Sequence, residues 1–143
     1  MTLLNQVINE GLRLYPPAWV FERQAQEEDV AAGWRVSPGI PIAIMPWVLH
    51  RHPDFWEDPH SFKPERFNPE ANAARPKFAY IPFGGGPRIC IGNHFAQLEM
   101  QVILVKLIQT FDFQRTTVGP IQPEPLITVR PKNGLPVRVK ERG

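Results

Sequence analysis

A single cysteine, Cys90, stands in a chain of 143 residues, and that scarcity excludes a good deal. An internal disulfide, a four-thiolate zinc site and a cysteine-held iron–sulfur cluster all need more thiols than the chain has. No run of 18 apolar residues is present that could cross a bilayer as a helix. Charge of one sign is not in excess: sixteen Lys and Arg against fourteen Asp and Glu leave a formal net charge of +2. With no basic tract to follow a phosphate backbone, nucleic acid is not an expected partner. Repeats and a second domain are missing as well. Seventeen prolines and ten glycines fall short of the roughly 25–30% that marks low-complexity chains. The prolines alternate with aromatics, as in Pro53-Asp54-Phe55-Trp56 and Pro64-Glu65-Arg66-Phe67-Asn68-Pro69, which predicts an ordered, irregular meander rather than a linker. Hydrophobic residues make up 43% of the chain, compatible with one globular unit.

A lone cysteine can be a small buried apolar residue, a nucleophile or a single thiolate ligand to a metal cofactor. Its neighbours, Phe83 to Gly92 (FGGGPRICIG), favour the third. Gly84, Gly85, Gly86 and Gly92 remove side chains around the sulfur, so a flat, rigid group could approach the backbone closely. Arg88, two residues before the cysteine, carries a permanent charge able to neutralise an acidic substituent on that group. Two other readings stay open at this point. Cys90 with His50 and His52 could ligate zinc, and Cys90 with a histidine could act as a thiol hydrolase. His50-Arg51-His52-Pro53 itself reads as a surface helix end followed by a turn, and His60 and His94 have no evident partners.

The remaining elements follow from periodicity. Leu3, Leu4, Val7, Ile8, Gly11 and Leu12 repeat with helical spacing until Tyr15-Pro16-Pro17 stops the helix. Glu10 and Arg13 fall three apart, on the side away from that stripe, where an isolated surface pair is worth less than about 1 kcal/mol. Asn93 to Thr110 reads as a second helix, apolar around most of its circumference and therefore expected to be largely buried, by partners that must come in good part from outside these residues. Cys90 lies just before that helix's positive end, where free backbone N–H groups favour a thiolate over a thiol. Val20 to Gln24 reads as a strand. Trp34-Arg35-Val36 is expected to join Ile40 to Met45 through the Pro38-Gly39 turn, and Leu126 to Arg130 to face Leu135 to Lys140 across Asn133-Gly134.

The spacing Phe83-x-x-Gly86-x-Arg88-x-Cys90-x-Gly92 resembles the haem-binding loop of the cytochrome P450 superfamily. Two further segments resemble that family in the same order along the chain. Glu10-Gly11-Leu12-Arg13 before a Tyr-Pro-Pro is similar to its ExxR helix, and Pro64-Glu65-Arg66-Phe67 to its PERF segment. The resemblance covers essentially the whole chain. It implies a mixed α/β fold, mainly α with small β-sheets, in which residues 1–143 form the C-terminal, haem-proximal portion of one domain. That portion is incomplete as a domain, because members are several times longer.

The resemblance also assigns roles. Cys90 would be the proximal thiolate ligand of the iron in haem b (iron protoporphyrin IX), an electron-rich ligand that favours O–O cleavage. Phe83, Gly86 and Gly92 would shape the loop against the porphyrin. Arg88 would pair with a propionate, and Arg23, in the first strand, with a second one. Glu10 and Arg13 would both bond to Arg66 in a structural triad. The implied activity is that of a haem-thiolate monooxygenase acting on a small organic substrate with O₂. Electrons would come from a redox protein, either a ferredoxin or a flavoprotein reductase. Members that rearrange peroxides share the cysteine loop, and a truncated, non-catalytic fragment that at most binds haem is the rival reading. The family's distal helix, with its acid–threonine pair, is not recognisable here. Met1 would stand inside a longer helix, with Thr2 a weak cap candidate. A single unpaired cysteine suits a reducing cytoplasm, while membrane association of a longer parent is left open, since an anchor would belong to its upstream part.

Overall fold

The computed structural model describes residues 2–143; Met1, and with it the expectation of a longer first helix, lies outside the described residues. Helix α1 (Thr2–Leu14) begins already helical at Thr2 and stops where Pro16 removes a backbone N–H. The next segment holds strands β1 (Phe21–Gln24), β2 (Asp29–Ala31), β3 (Trp34–Val36) and β4 (Pro41–Ile44), followed by the short helix α2 (Pro46–Leu49). A meander of turns then runs through a 3-10 turn at Pro64–Phe67, helix α3 (Pro69–Ala74) and a second 3-10 turn at Gly86–Arg88. Helix α4 (Asn93–Thr110) leads directly into β5 (Phe111–Arg115), with β6 (Pro123–Pro125), β7 (Val129–Pro131) and β8 (Val137–Glu141) completing the chain.

Among the described residues the strands form four two-stranded antiparallel sheets: β1 with β4, β2 with β3, β5 with β8 and β6 with β7. Two expected pairings are therefore replaced. β3 turns back on β2 through Ala32 and Gly33, both at positive φ (+50° and +84°), so β4 is free to pair with β1, Phe21 opposite Ile44 and Arg23 opposite Ile42. Asn133-Gly134 follows β7 but is not a two-residue hairpin turn. β7 pairs backwards with β6, and β8 pairs with β5, which lies more than twenty residues upstream.

The core sits between α1 and the meander. Ile8, Leu12 and Leu14 of α1 pack with Trp56, Phe67, Ala79 and Ile81, each large side chain contributing roughly 1.5–3 kcal/mol. Trp56, Phe67 and Tyr80 meet edge-on or tilted at 4.8 to 6.3 Å between ring centres, and the Arg75 guanidinium lies over all three rings. Pro–aromatic alternation thus marks a packed meander, as the sequence predicts.

One expectation about burial is corrected. Glu10 and Arg13 do not face solvent; both are fully buried, because the meander closes over that side of α1. Helix α4, expected to need partners from outside these residues, has no buried residue. Its apolar side chains run all round the helix, and among the described residues it touches chiefly α1 and β5.

Candidate functional site

Buried charge is costly unless every hydrogen-bonding position is used, and Arg13 meets that condition. Its Nε donates to Glu10 Oε2 at 2.7 Å and its Nη2 to Glu10 Oε1 at 2.8 Å, a two-pronged match of guanidinium to carboxylate. Nη2 also donates to the Ser61 carbonyl at 3.1 Å, and Nη1 to the carbonyls of His50 at 2.8 Å and Pro59 at 2.7 Å. All five donors are engaged. Glu10 Oε1 in turn accepts the Lys63 backbone N–H at 2.8 Å. Arg66 joins more loosely: its Nε lies 3.5 Å from Glu10 Oε1, within ion-pair range but without a hydrogen bond, while its Nη2 donates to the Asp58 carbonyl at 2.8 Å. Glu10, Arg13 and Arg66 are therefore brought together, with Glu10 the one carboxylate between two guanidiniums.

His50 was missed as a site residue. Expected at the surface, it is fully buried, because its ring is drawn inward by partners at both nitrogens. Nε2 accepts the Ile81 backbone N–H at 2.9 Å, so the proton sits on Nδ1, which faces the Arg13 carbonyl at 3.3 Å. Burial lowers its pKa from 6.5 to about 4; the hydrogen bond to the Arg13 carbonyl opposes this, and the charges of Arg13, Arg51 and Arg75 add to it. With both nitrogens engaged, His50 is not free to join Cys90 on zinc. His52 is exposed beside Asp54, 3.8 Å away. Together with Arg51, whose Nη2 donates to the Leu14 carbonyl, His50 caps carbonyls that the end of α1 leaves without helical partners. Only the Pro46 and Trp56 neighbourhood could have hinted at this, and it does so too weakly to separate a buried histidine from a surface one.

The Ile81 peptide opens the cysteine loop. Gly84 N–H donates to the Ile81 carbonyl at 3.0 Å, Cys90 N–H to the Phe83 carbonyl at 2.9 Å, and Ile89 N–H to the Gly86 carbonyl at 3.1 Å. Gly84 and Gly86 hold positive φ, +77° and +71°, which glycine adopts without strain. At Gly85 a Cβ would meet the Phe78 ring at 3.2 Å, and at Gly92 it would stand 3.8 Å from Cys90 Sγ. Gly85 thus keeps the loop's packing against Phe78 clear, Gly84 and Gly86 supply its backbone conformation, and a side chain at Gly92 would make an ordinary contact with the sulfur. Cys90 and Arg88 are exposed, Phe83 and Arg23 half-buried.

A cavity of about 340 Å³ gathers these groups on one concave face: Phe21 and Arg23 from β1, Pro17 and Ala18 before it, and Phe83, Gly84, Arg88 and Cys90 from the loop, with Thr128 between β6 and β7. One sulfur, two guanidiniums and otherwise mostly apolar walls form a donor set that fits an iron porphyrin: a soft ligand for the iron, two cations for two carboxylates, and an apolar lining for the macrocycle.

The sequence matches the family described as Cytochrome P450 across residues 1–137. The chain belongs to the cytochrome P450 family. Members of that family bind haem b. Mouse (Mus musculus) thromboxane-A synthase is 37% identical over 141 residues, covering 97% of this chain and 26% of that protein. Lithocholate 6-beta-hydroxylase of Mesocricetus auratus is also 37% identical, over 144 residues, 99% of this chain and 29% of that protein. Among solved structures, cyanobacterial CYP120A1 with retinoic acid bound superposes with a TM-score of 0.92 at 36% identity, covering 99% of this chain and 33% of that one. The chain thus spans about a quarter of the length of such curated relatives, and its helices and small sheets make up part of the P450 fold. No helix of the described residues is long and apolar enough to cross a membrane.

Proposed function

We propose that residues 1–143 are the C-terminal, haem-proximal portion of a single P450 domain whose complete form is a haem-thiolate monooxygenase. The observation that carries the reading is the shared cavity: Cys90, Arg88 and Arg23 line one apolar concavity although sequence separates Arg23 from the loop by sixty residues. Bound haem would supply the iron centre at which O₂ is activated with two electrons from a ferredoxin or a flavoprotein reductase, so that one oxygen atom enters a small organic substrate. Cys90 would hold the iron through its thiolate. Arg88 and Arg23 would bind the propionates. Phe83 would form part of the wall, Gly86 and Gly92, which lie outside the lining, would shape the loop that carries the sulfur, and Glu10, Arg13 and Arg66 would lock the helix and meander behind it. A synthase and a hydroxylase are equally similar to the chain at 37%, so the loop speaks for the cofactor more firmly than for the fate of the oxygen atom. Helix α4, with Phe95 72% exposed, supports a second statement: alone, this chain carries the cysteine face only and does not turn over substrate.

The test is a difference spectrum of the reduced, CO-treated full-length protein. The band of thiolate-ligated haem is expected, and Cys90→His should keep haem while losing that band. An unchanged band in that variant removes Cys90 from the iron and overturns the proposal.

A further inference from the structure

Four contacts run in series from the charge lock to the sulfur. The Arg13 carbonyl meets His50 Nδ1 at 3.3 Å, His50 Nε2 meets the Ile81 N–H at 2.9 Å, the Ile81 carbonyl accepts from Gly84 at 3.0 Å, and the Phe83 carbonyl accepts from Cys90 at 2.9 Å. We propose that His50 is a positioning residue for the cysteine loop: its two ring nitrogens tie the end of α1 to the Ile81 peptide and so set where Cys90 stands relative to the Glu10–Arg13 pair. This rests on the reading of Cys90 as the iron's ligand.

The geometry makes the imidazole a suitable strut. It has no solvent-exposed surface, and its plane is held by Trp56 at 6.4 Å and Tyr80 at 5.2 Å between ring centres. Its backbone carbonyl accepts from Arg13 Nη1 at 2.8 Å while its Nδ1 faces the Arg13 carbonyl, so the two residues grip each other from both sides. The groups facing it are Arg13 of α1, Arg51 beyond α2, Arg75 beyond α3, and Tyr80 of the meander, with Glu10 one step away on Arg13. Burial, and after it three nearby guanidiniums, keep the ring neutral, and only the neutral ring can both donate at Nδ1 and accept at Nε2. Lysine, arginine and the aliphatic residues cannot make both bonds. Glutamine can, through its amide.

The experiment compares full-length protein carrying His50→Leu and His50→Gln with the unmodified form. Two quantities are read at matched haem content: amide exchange across Ile81–Gly92 against that of Ile8–Leu12, and the share of haem giving the thiolate CO band. For His50→Leu, exchange in the loop is expected to rise about tenfold, the effect of one lost buried hydrogen bond, with a smaller rise in α1. The thiolate share should fall while haem is retained. His50→Gln should restore both. Equal acceleration in α1 and the loop, no change in either, or failure of His50→Gln to restore the band would overturn the strut. If His50→Leu yields no soluble protein, His50→Gln decides alone: wild-type exchange and band support the proposal, and loop exchange raised above α1's overturns it. An unmodified protein without the thiolate band would refute the ligand reading of Cys90, and the exchange comparison would then decide the strut by itself.

Discussion

Helices α1 and α4 are both rich in large aliphatic side chains, yet α1 buries five residues and α4 none. The difference does not lie in hydrophobicity. In α1 the apolar residues Ile8, Leu12 and Leu14 alternate with Glu10 and Arg13, and the meander closes over both kinds at once. The charges find every partner they need from the Pro59–Lys63 backbone and from His50. In α4, Phe95, Leu98, Val102, Ile103, Leu107 and Ile108 point in several directions and are all exposed. Closure, rather than apolar content, separates the two helices among the described residues: the meander's carbonyls and backbone N–H groups cover α1, and no described segment does so for α4, in a chain that spans about a quarter of its curated relatives' length. The sulfur sits at the seam, its loop anchored in the closed region and its helix extending into the open one.

Breaking the closed side should have the largest effect. Glu10→Ala leaves Arg13 fully buried, and Arg66 partly so, without their shared carboxylate, an expected loss of roughly 3–5 kcal/mol. Because whole domains are stable by only about 5–15 kcal/mol, poor soluble yield and failed haem incorporation of the full-length protein are the expected signs. Normal yield and haem content would place the pair outside the stabilising core.

Acid should open the same region less abruptly. The folded pKa of His50, about 4, lies below its ordinary 6.5, so the unfolded chain takes up the proton first. This group's contribution is complete above pH 6.5, declines as pH falls toward 4 and is gone below that. The interval corresponds to roughly 3 kcal/mol at ~1.4 kcal/mol per pH decade. Denaturant unfolding at pH 7 and pH 4.5 should show the loss, and His50→Gln should flatten it.

Smaller changes sharpen the contrast. Glu28 and Arg35 pair at 2.6 Å but are mostly exposed, so Glu28→Gln should cost only ~0.2–1 kcal/mol in the same unfolding assay. Smallest of all, Phe95→Ser and Leu98→Ser on α4 should each change the stability of the 143-residue chain by no more than about 0.5 kcal/mol, while reducing its aggregation in light scattering. A loss of several kcal/mol there would mean that α4 is packed in solution.

What could be read in the sequence was local or strongly patterned. The bounds of α4 follow from its apolar periodicity and from Gly92 ahead of it, and the end of α1 from Pro16, whereas the grouping of Glu10 with Arg13 and Arg66 comes only from the resemblance to the family's ExxR and PERF segments. What could not be read depended on partners far along the chain. β5 finds β8 across a long intervening segment, so the Asn133-Gly134 turn signal pointed to the wrong neighbour. Likewise Pro38-Gly39 links β3 and β4 without pairing them, because β2 competes for β3 through a tighter turn. His50 was misplaced for the same reason: its partners stand 31 and 37 residues away, and nothing in His50-Arg51-His52-Pro53 announces them. The cavity of Cys90, Arg88 and Arg23 was legible as residue identities, though its shape depends on β1 pairing with β4, which sets β1 beside the loop.

Residue-resolved hydrogen exchange on the 143-residue chain in dilute solution tests the contrast between closed and open regions most directly. Amides of Ile8–Leu14 and of Ala79–Ile81 should exchange far more slowly than those of Leu98–Leu107, whose helix has no cover among the described residues. Protection of α4 equal to or greater than that of α1 would contradict the account.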